Sequence, residues 1–456
     1  MKKIIAILTA VLMVLSLAAC GGTGTNTGTN NGQNMPGKPP SGGHGGPGGS
    51  SADIDYKGTV VITAADSRSG ETYASTASDE SALIINTADA VTLENMTVTK
   101  TGDSDGGDSC NFYGLNAAVL AMGGTTVTIT GGTVESSANG ANGIFSYGGN
   151  GGQNGASGDG TTVIVKNVTI VTTGSGSGGI MTTGGGVMKA YDLNVTTSGQ
   201  SSAAIRTDRG GGTVYVEGGT FTSNGLGSPA IYSTAEITVV GAELNSNLSE
   251  GVCIEGKNSI TLTNCVLTAK NTQMNGNATF VDTIMIYQSM SGDADSGTSA
   301  FTMTGGSLTS KNGHVFHVTN TNAVITLENV TIVNEDAEGI LLSVCDDGWS
   351  GAANIASLKA VNQTLAGRIL VGSNSTLTLS LTNGSSFVGM IDGNITNAKG
   401  AVISTSVGAV SVTIDAGSTW TLTGDTYITE FNGDASSIIS NGYTLYVNGV
   451  ALTGTN

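Results

Sequence analysis

The chain has 456 residues, a net charge of −18, 71 glycines and only 11% charged residues. No basic stripe breaks that acidity, which excludes nucleic acid as a partner. A glycine-rich, weakly charged composition fits either disorder or a repetitive β-structure. Here Val, Ile and Thr recur in short alternating runs, a pattern disordered chains lack.

Lys2 and Lys3 precede an apolar stretch from Ile4 to Leu17, too short to span a bilayer as a helix but suited to a secretory leader. Leu17-Ala18-Ala19-Cys20 follows. These four residues resemble the lipobox of bacterial lipoproteins. The resemblance implies a signal peptide over 1–19, lipidation of Cys20, and a chain held outside the cytoplasm by a membrane anchor and exposed at the cell surface. Residues 20–52 are mostly Gly, Thr, Asn, Ser and Pro without apolar periodicity, the composition of a flexible tether. Its reach is roughly 30 Å by the flexible-chain rule. His44 stands alone in it and makes no metal site.

From about residue 53 a nine-residue unit recurs, first as Val91-Thr-Leu-Glu-Asn-Met-Thr-Val-Thr99. Further units start at Val127, Val163, Met188, Val214, Ile237, Ile260, Phe301 and Ile325, spaced 36, 36, 25, 26, 23, 23, 41 and 24 residues apart. The short spacings define one coil and the long ones a coil with an inserted loop. Positions one, three and eight are apolar throughout, and the first and third share one face of a strand. Position five is only ever Gly, Asn or Asp, the residues that enter the left-handed region at low cost. Each unit therefore reads as strand, left-handed corner, strand. A third run precedes most units: Val119-Leu120, Ile144-Phe145, Ile180-Met181, Ile205-Arg206, Ile231-Tyr232 and Val252-Cys253.

Three short strands per coil of about 24 residues predict stacked coils at strand spacing, roughly 4.8 Å. No coil buries its own apolar face, so the array must be long. The chain here resembles the right-handed parallel β-helix superfamily of pectate lyases, polygalacturonases, autotransporter passengers and adhesin-like surface proteins. It is read as all-β, a single β-helix over 53–456 with inserted loops and cap coils from about 410. Trp420, Tyr427, Phe431, Tyr443 and Tyr446 gather in that ending, as cap core or else as binding residues.

The resemblance implies fold more than activity. Polygalacturonases suggest a search for acidic pairs with His and Arg. Asp346-Asp347, Asn312-Gly313-His314 and Arg368-Ile369 echo that set, but in reversed order and without its lysine. Pectate lyases suggest an arginine base beside calcium-binding aspartates. Arg206-Thr-Asp208-Arg209 is the most charged strand in its neighbourhood, and with Ile205 inward both Arg206 and Asp208 face outward. The alternative for this strand is a plain ion pair on a solvated face.

Asp103, Asp105 and Asp108 lie in a Gly-rich loop that reads first as a solvated acidic turn and, as the alternative, as a calcium site, the one cofactor the sequence suggests. That loop ends in Phe112 and Tyr113. Outward positions beside the third run carry Phe145, Tyr147, Met181, Arg206 and Tyr232, expected to form an exposed ridge able to stack on sugars. His317 reads as a strand histidine with no third ligand in view. Cys110, Cys253, Cys265 and Cys345 match no metal signature and specify no disulfide, and Cys265 occupies a packing column.

The leading expectation is a monomeric, non-enzymatic, adhesin-like surface lipoprotein that binds carbohydrate or another cell's surface. The alternatives are a lyase or hydrolase acting on acidic polysaccharide, and an inert envelope spacer.

Overall fold

A computed structural model describes residues 54–452 apart from 105, 151–156 and 275. The leader, Cys20 and the tether fall outside the described residues, as does Asp105 of the acidic loop.

The body is a parallel β-helix, and the crossover rule gives it a right-handed sense. Fifteen strands stack in one sheet, here sheet 1, which contains every third run of the sequence. Ile144 pairs with Ile180, Ile180 with Ile205, Ile205 with Ile231 and Ile231 with Val252. The two arms of the nine-residue unit form sheets 2 and 3. They are continuous in the strands Ala90–Lys100 and Thr126–Ser136, then separate into pairs such as Thr162–Lys166 and Thr169–Thr172.

The corner between those arms is left-handed in all nine units. Asn95, Gly131, Asn167, Asp192, Gly218, Gly241, Asn264, Gly305 and Asn329 have φ between 50° and 68°. A β-branched residue there would meet its own carbonyl. Inward residues at positions one, three and eight form apolar ladders through one continuous core. Cys265 is buried in that core, as its column predicts, and the four described cysteines are free.

Past Val344 the coil changes. It now holds two strands, Asn354–Val361 with Thr364–Val371, then Ser375–Thr382 with Ser386–Asp392. Sheet 3 therefore ends at Thr331–Asn334. The strands Thr426–Ile428, Leu445–Val447 and Val450–Leu452 form a small terminal sheet whose last pairing is antiparallel. Trp420 is buried against Phe387 and Phe431 packs on the core. Tyr427 stays outside, 52% exposed and stacked on Tyr446, and Tyr443 is also exposed. The aromatic ending thus divides into core and surface, because only alternate strand residues face inward.

Candidate functional site

Sheet 1 has an outer column parallel to its inner one. Ile84, Leu120, Phe145, Met181, Arg206, Tyr232, Cys253, Met285, His317, Ser343 and Leu370 follow one another rung by rung. This is the ridge expected from the sequence, but it is covered rather than displayed. Loops inserted between coils fold back over it and bury Phe145, Tyr147, Met181 and Arg206. A column so apolar could not stay solvated without cost, so the inserts form a second layer against it.

The cover falls into apolar patches. Phe145, Tyr147 and Met181 pack with Ala117 and Tyr113 at one end. Tyr147 meets Tyr113 edge-on, centroids 6.0 Å apart, and Phe112 is buried in the five-residue helix Asp108–Phe112. Further along, Cys253, Met285 and Tyr287 pack with Ala278 and Trp349, and Tyr232 leans on them.

Between these patches lies a polar cluster built from three distant segments. Arg206 Nη2 donates to Asp208 Oδ2 at 2.8 Å, and its Nη1 donates to Asn111 Oδ1 and to the Ser201 carbonyl, each at 3.1 Å. The paired side chains are 5% and 4% exposed, so this is a buried ion pair and not the solvated one weighed from sequence. Burial pushes the Asp208 carboxyl up to about 6 against the pull of Arg206. Arg209 lies over the Phe112 ring, 4.3 Å from its centroid, and donates through Nε to Asp293 at 3.1 Å. Asp293 comes from the insert after Tyr287, so this contact ties two loops across the ridge. Asp108 is half-buried beside the same groups, and burial raises its carboxyl.

Glu255 is the second buried carboxyl of the cluster. It accepts from Tyr232 Oη at 2.6 Å and Tyr287 Oη at 3.1 Å, and Ser289 Oγ donates to its other oxygen. Burial raises it above the ordinary carboxylate range in spite of those donors. Tyr232 also lies under Arg206, whose guanidinium carbon is 5.9 Å from the ring centroid. The rim is formed by Arg209, Tyr232 and Ser289, all half-buried, and by exposed Ser291.

Glu255, Tyr287, Ser289 and Asp293 do not figure in the sequence-based site. A signal for Glu255 was present. The runs Ile205-Arg206-Thr207-Asp208 and Val252-Cys253-Ile254-Glu255 align position by position, which puts Asp208 and Glu255 in one column. Asp293 carried no such signal, because its loop has no repeat to align with.

The polygalacturonase echo resolves into a buried network. His314 Nδ1 and His317 Nδ1 both lie 2.7 Å from Ser343 Oγ, and His317 Nε2 lies 3.2 Å from Asp347 Oδ2. One hydroxyl can donate to one imidazole and accept from the other. Asp347 also accepts the Thr279 amide and hydroxyl at 2.7 and 2.6 Å. Burial lowers His314 to about 3, which keeps it neutral. Asp346 is bonded to Asn354 and Arg368 to Asp392, so of the echoing residues only His314 and Asp347 share this network. This network pins two cover loops to sheet 1.

Asp103 accepts the Asn139 amide at 2.8 Å, while Asp108 faces the arginine cluster. Among the described residues no group of three His, Cys, Asp or Glu is placed to hold a metal ion.

Comparisons with family models, curated proteins and solved structures found no match. Strand pairing therefore defines the class, a parallel β-helix, and its outer face is covered by loops over buried charged groups that include the Arg206–Asp208 pair.

Proposed function

We propose that the protein is a non-catalytic β-helix of the cell surface that binds carbohydrate at the rim of the Arg206–Glu255 cluster. The observation that carries this reading is how the charges are disposed. Arg206, Asp208, Arg209, Asp293 and Glu255 are all engaged with protein groups. The half-buried rim offers a guanidinium edge, a tyrosine ring and hydroxyls. Such a set suits a hydroxyl-rich ligand that both donates and accepts. The cluster's carboxyls are each turned to a protein partner. Support for surface display comes from the resemblance of Leu17-Ala18-Ala19-Cys20 to a lipobox and from the tether-like composition that follows it.

The second reading is a polysaccharide lyase or hydrolase. It draws on Asp208, whose carboxyl at about 6 would be able to exchange protons near neutral pH.

The test uses the tether-free protein, incubated with neutral and acidic polysaccharides with and without calcium. Retention on a polysaccharide without product, weakened at least tenfold by Arg209→Ala, is the expected outcome. Shortened or unsaturated products abolished by Asp208→Asn would establish the enzyme instead. No retention on any of the glycans would remove the carbohydrate reading.

A further inference from the structure

Sheet 3 ends in the middle of the rod. Seven four-residue strands stack in it, from Thr169–Thr172 up to Thr331–Asn334. The last pairs with Ser307–Ser310 below it, and among the described residues no strand pairs with it above. The following coil sends Thr364–Val371 across this side, but that strand pairs forward with Ser386–Asp392. A cleft of about 600 Å³ separates the two coils.

Both ends of the cleft are closed. At one, the buried Gln363 side chain takes the place of a peptide unit: its Oε1 accepts the Val330 amide at 2.7 Å and its Nε2 donates to the Val330 carbonyl at 2.8 Å. At the other, the Arg368 amide donates directly to the Gly339 carbonyl at 2.9 Å.

The backbone between these ends is set for a strand. Alternate residues of a parallel ladder turn their N–H and C=O toward opposite neighbours. Thr331 and Glu335 donate downward, to the carbonyls of Gly306 and Ser310. Ile332 and Asn334 therefore turn theirs into the cleft. On the far wall Gln363 gives its carbonyl to Ser386 and Arg368 turns back to Gly339, so Thr364 and Ala366 turn toward the cleft, where the Thr364 carbonyl is already taken by Gln363 Nε2 at 2.8 Å.

The side chains agree. Ile170, Val195, Phe221, Leu244, Leu267 and Leu308 fill one inward column and are fully buried. Ile332 is next in that column and only partly buried, because nothing stacks on it.

We propose that this cleft receives one extended peptide strand from a partner protein, inserted parallel between Thr331–Asn334 and Thr364–Gly367. The rungs below act as its template. Each carries a large apolar residue followed two positions later by a small one, as in Leu308 and Ser310, or Phe221 and Ser223. The ligand is thus a strand of about 13 Å with Leu, Ile, Val or Phe over Ile332 and Ser, Thr or Ala two residues on. Main-chain bonds supply affinity and the side-chain column supplies selectivity. No charged residue lines the cleft, so inward positions of the ligand are uncharged. The chain's own tether fits poorly, because Met35 is the only large apolar residue in 21–52 and Pro36 follows it.

The test is fluorescence anisotropy of a labelled peptide copying residues 305–312, Gly-Gly-Ser-Leu-Thr-Ser-Lys-Asn, with the mature protein. Saturable binding is expected. Replacing the peptide's Leu with Asp, or N-methylating one of its central amides, should weaken it at least tenfold. Ile332→Lys in the protein should do the same with the unfolding temperature retained. The proposal fails if the copy does not saturate by about 1 mM, or if the N-methylated peptide binds as well as the parent. Dimerisation of the protein through this cleft in sedimentation experiments would overturn the assignment to a foreign strand.

Discussion

Arg206 breaks an outer column that otherwise runs Phe145, Met181, Tyr232, Cys253, Met285. A buried guanidinium in that position is costly, and Asp208, Asn111 and the Ser201 carbonyl offset the cost. Arg206→Ala should destabilise the protein by about 3–5 kcal/mol, because it leaves Asp208 buried without its partner. The double variant Arg206→Met/Asp208→Asn should recover most of that loss, since methionines already precede and follow in the column. Chemical denaturation of the wild type, Arg206→Met, Asp208→Asn and the double variant closes the cycle, with Arg206→Ala measured beside it. A double variant as unstable as Arg206→Ala would mean that the pair contributes more than mutual neutralisation.

At the scale of elements, the cover loops are held by few points. Asp347 is one, because a single carboxyl joins His317 of sheet 1, Thr279 of one loop and Gly348 of another. Asp347→Ala should therefore raise amide hydrogen exchange over residues 272–281 and 345–353 by at least tenfold. The inner sheet strands around Phe316 should keep their protection. Exchange unchanged in both loops would show that Phe280, packed 4.9 Å from the His317 ring, holds them without the carboxyl.

For the whole molecule, the pH dependence of stability is set by buried acids and by buried His314. Burial raises Asp208, Glu250, Glu255 and Asp282, with Asp208 at about 6. For Asp208 the native state holds its proton to higher pH than the unfolded chain does. Between the ordinary value of 3.8 and about 6 the native state binds more protons, so stability falls as pH rises through that window. Asp347 and Asp392 are lowered and act in the opposite sense below the ordinary carboxylate range, and His314, lowered to about 3, does so up to its ordinary 6.5, because only the unfolded chain takes up its proton in that window. By calorimetry, Asp208→Asn should consequently lower the unfolding temperature at pH 4.5 relative to that at pH 7, and His314→Gln should raise it. An Asp208→Asn variant with the wild-type pH profile would show that Arg206 outweighs burial at Asp208.

The sequence by itself determined the helix. Each coil repeats the same physical problem, and Asn or Gly at the left-handed corner with apolar residues on either side is its local solution, visible at Asn95, Gly131 and Asn264 without any tertiary knowledge. The column rule also placed Cys265 in the core and Arg206 on the outer face. Tertiary structure alone decided what covers that face. The inserts near Asp108, Asp293 and Asp347 have no repeat and no period, and their partners lie in coils far away along the chain. Asp293 meets Arg209 across 84 residues and Asn111 meets Arg206 across 95. The loss of sheet 3 beyond Asn334 was hidden for a related reason. A strand's alternation shows which residues face inward, but only stacking of one coil on the next decides whether a neighbour is there to meet them.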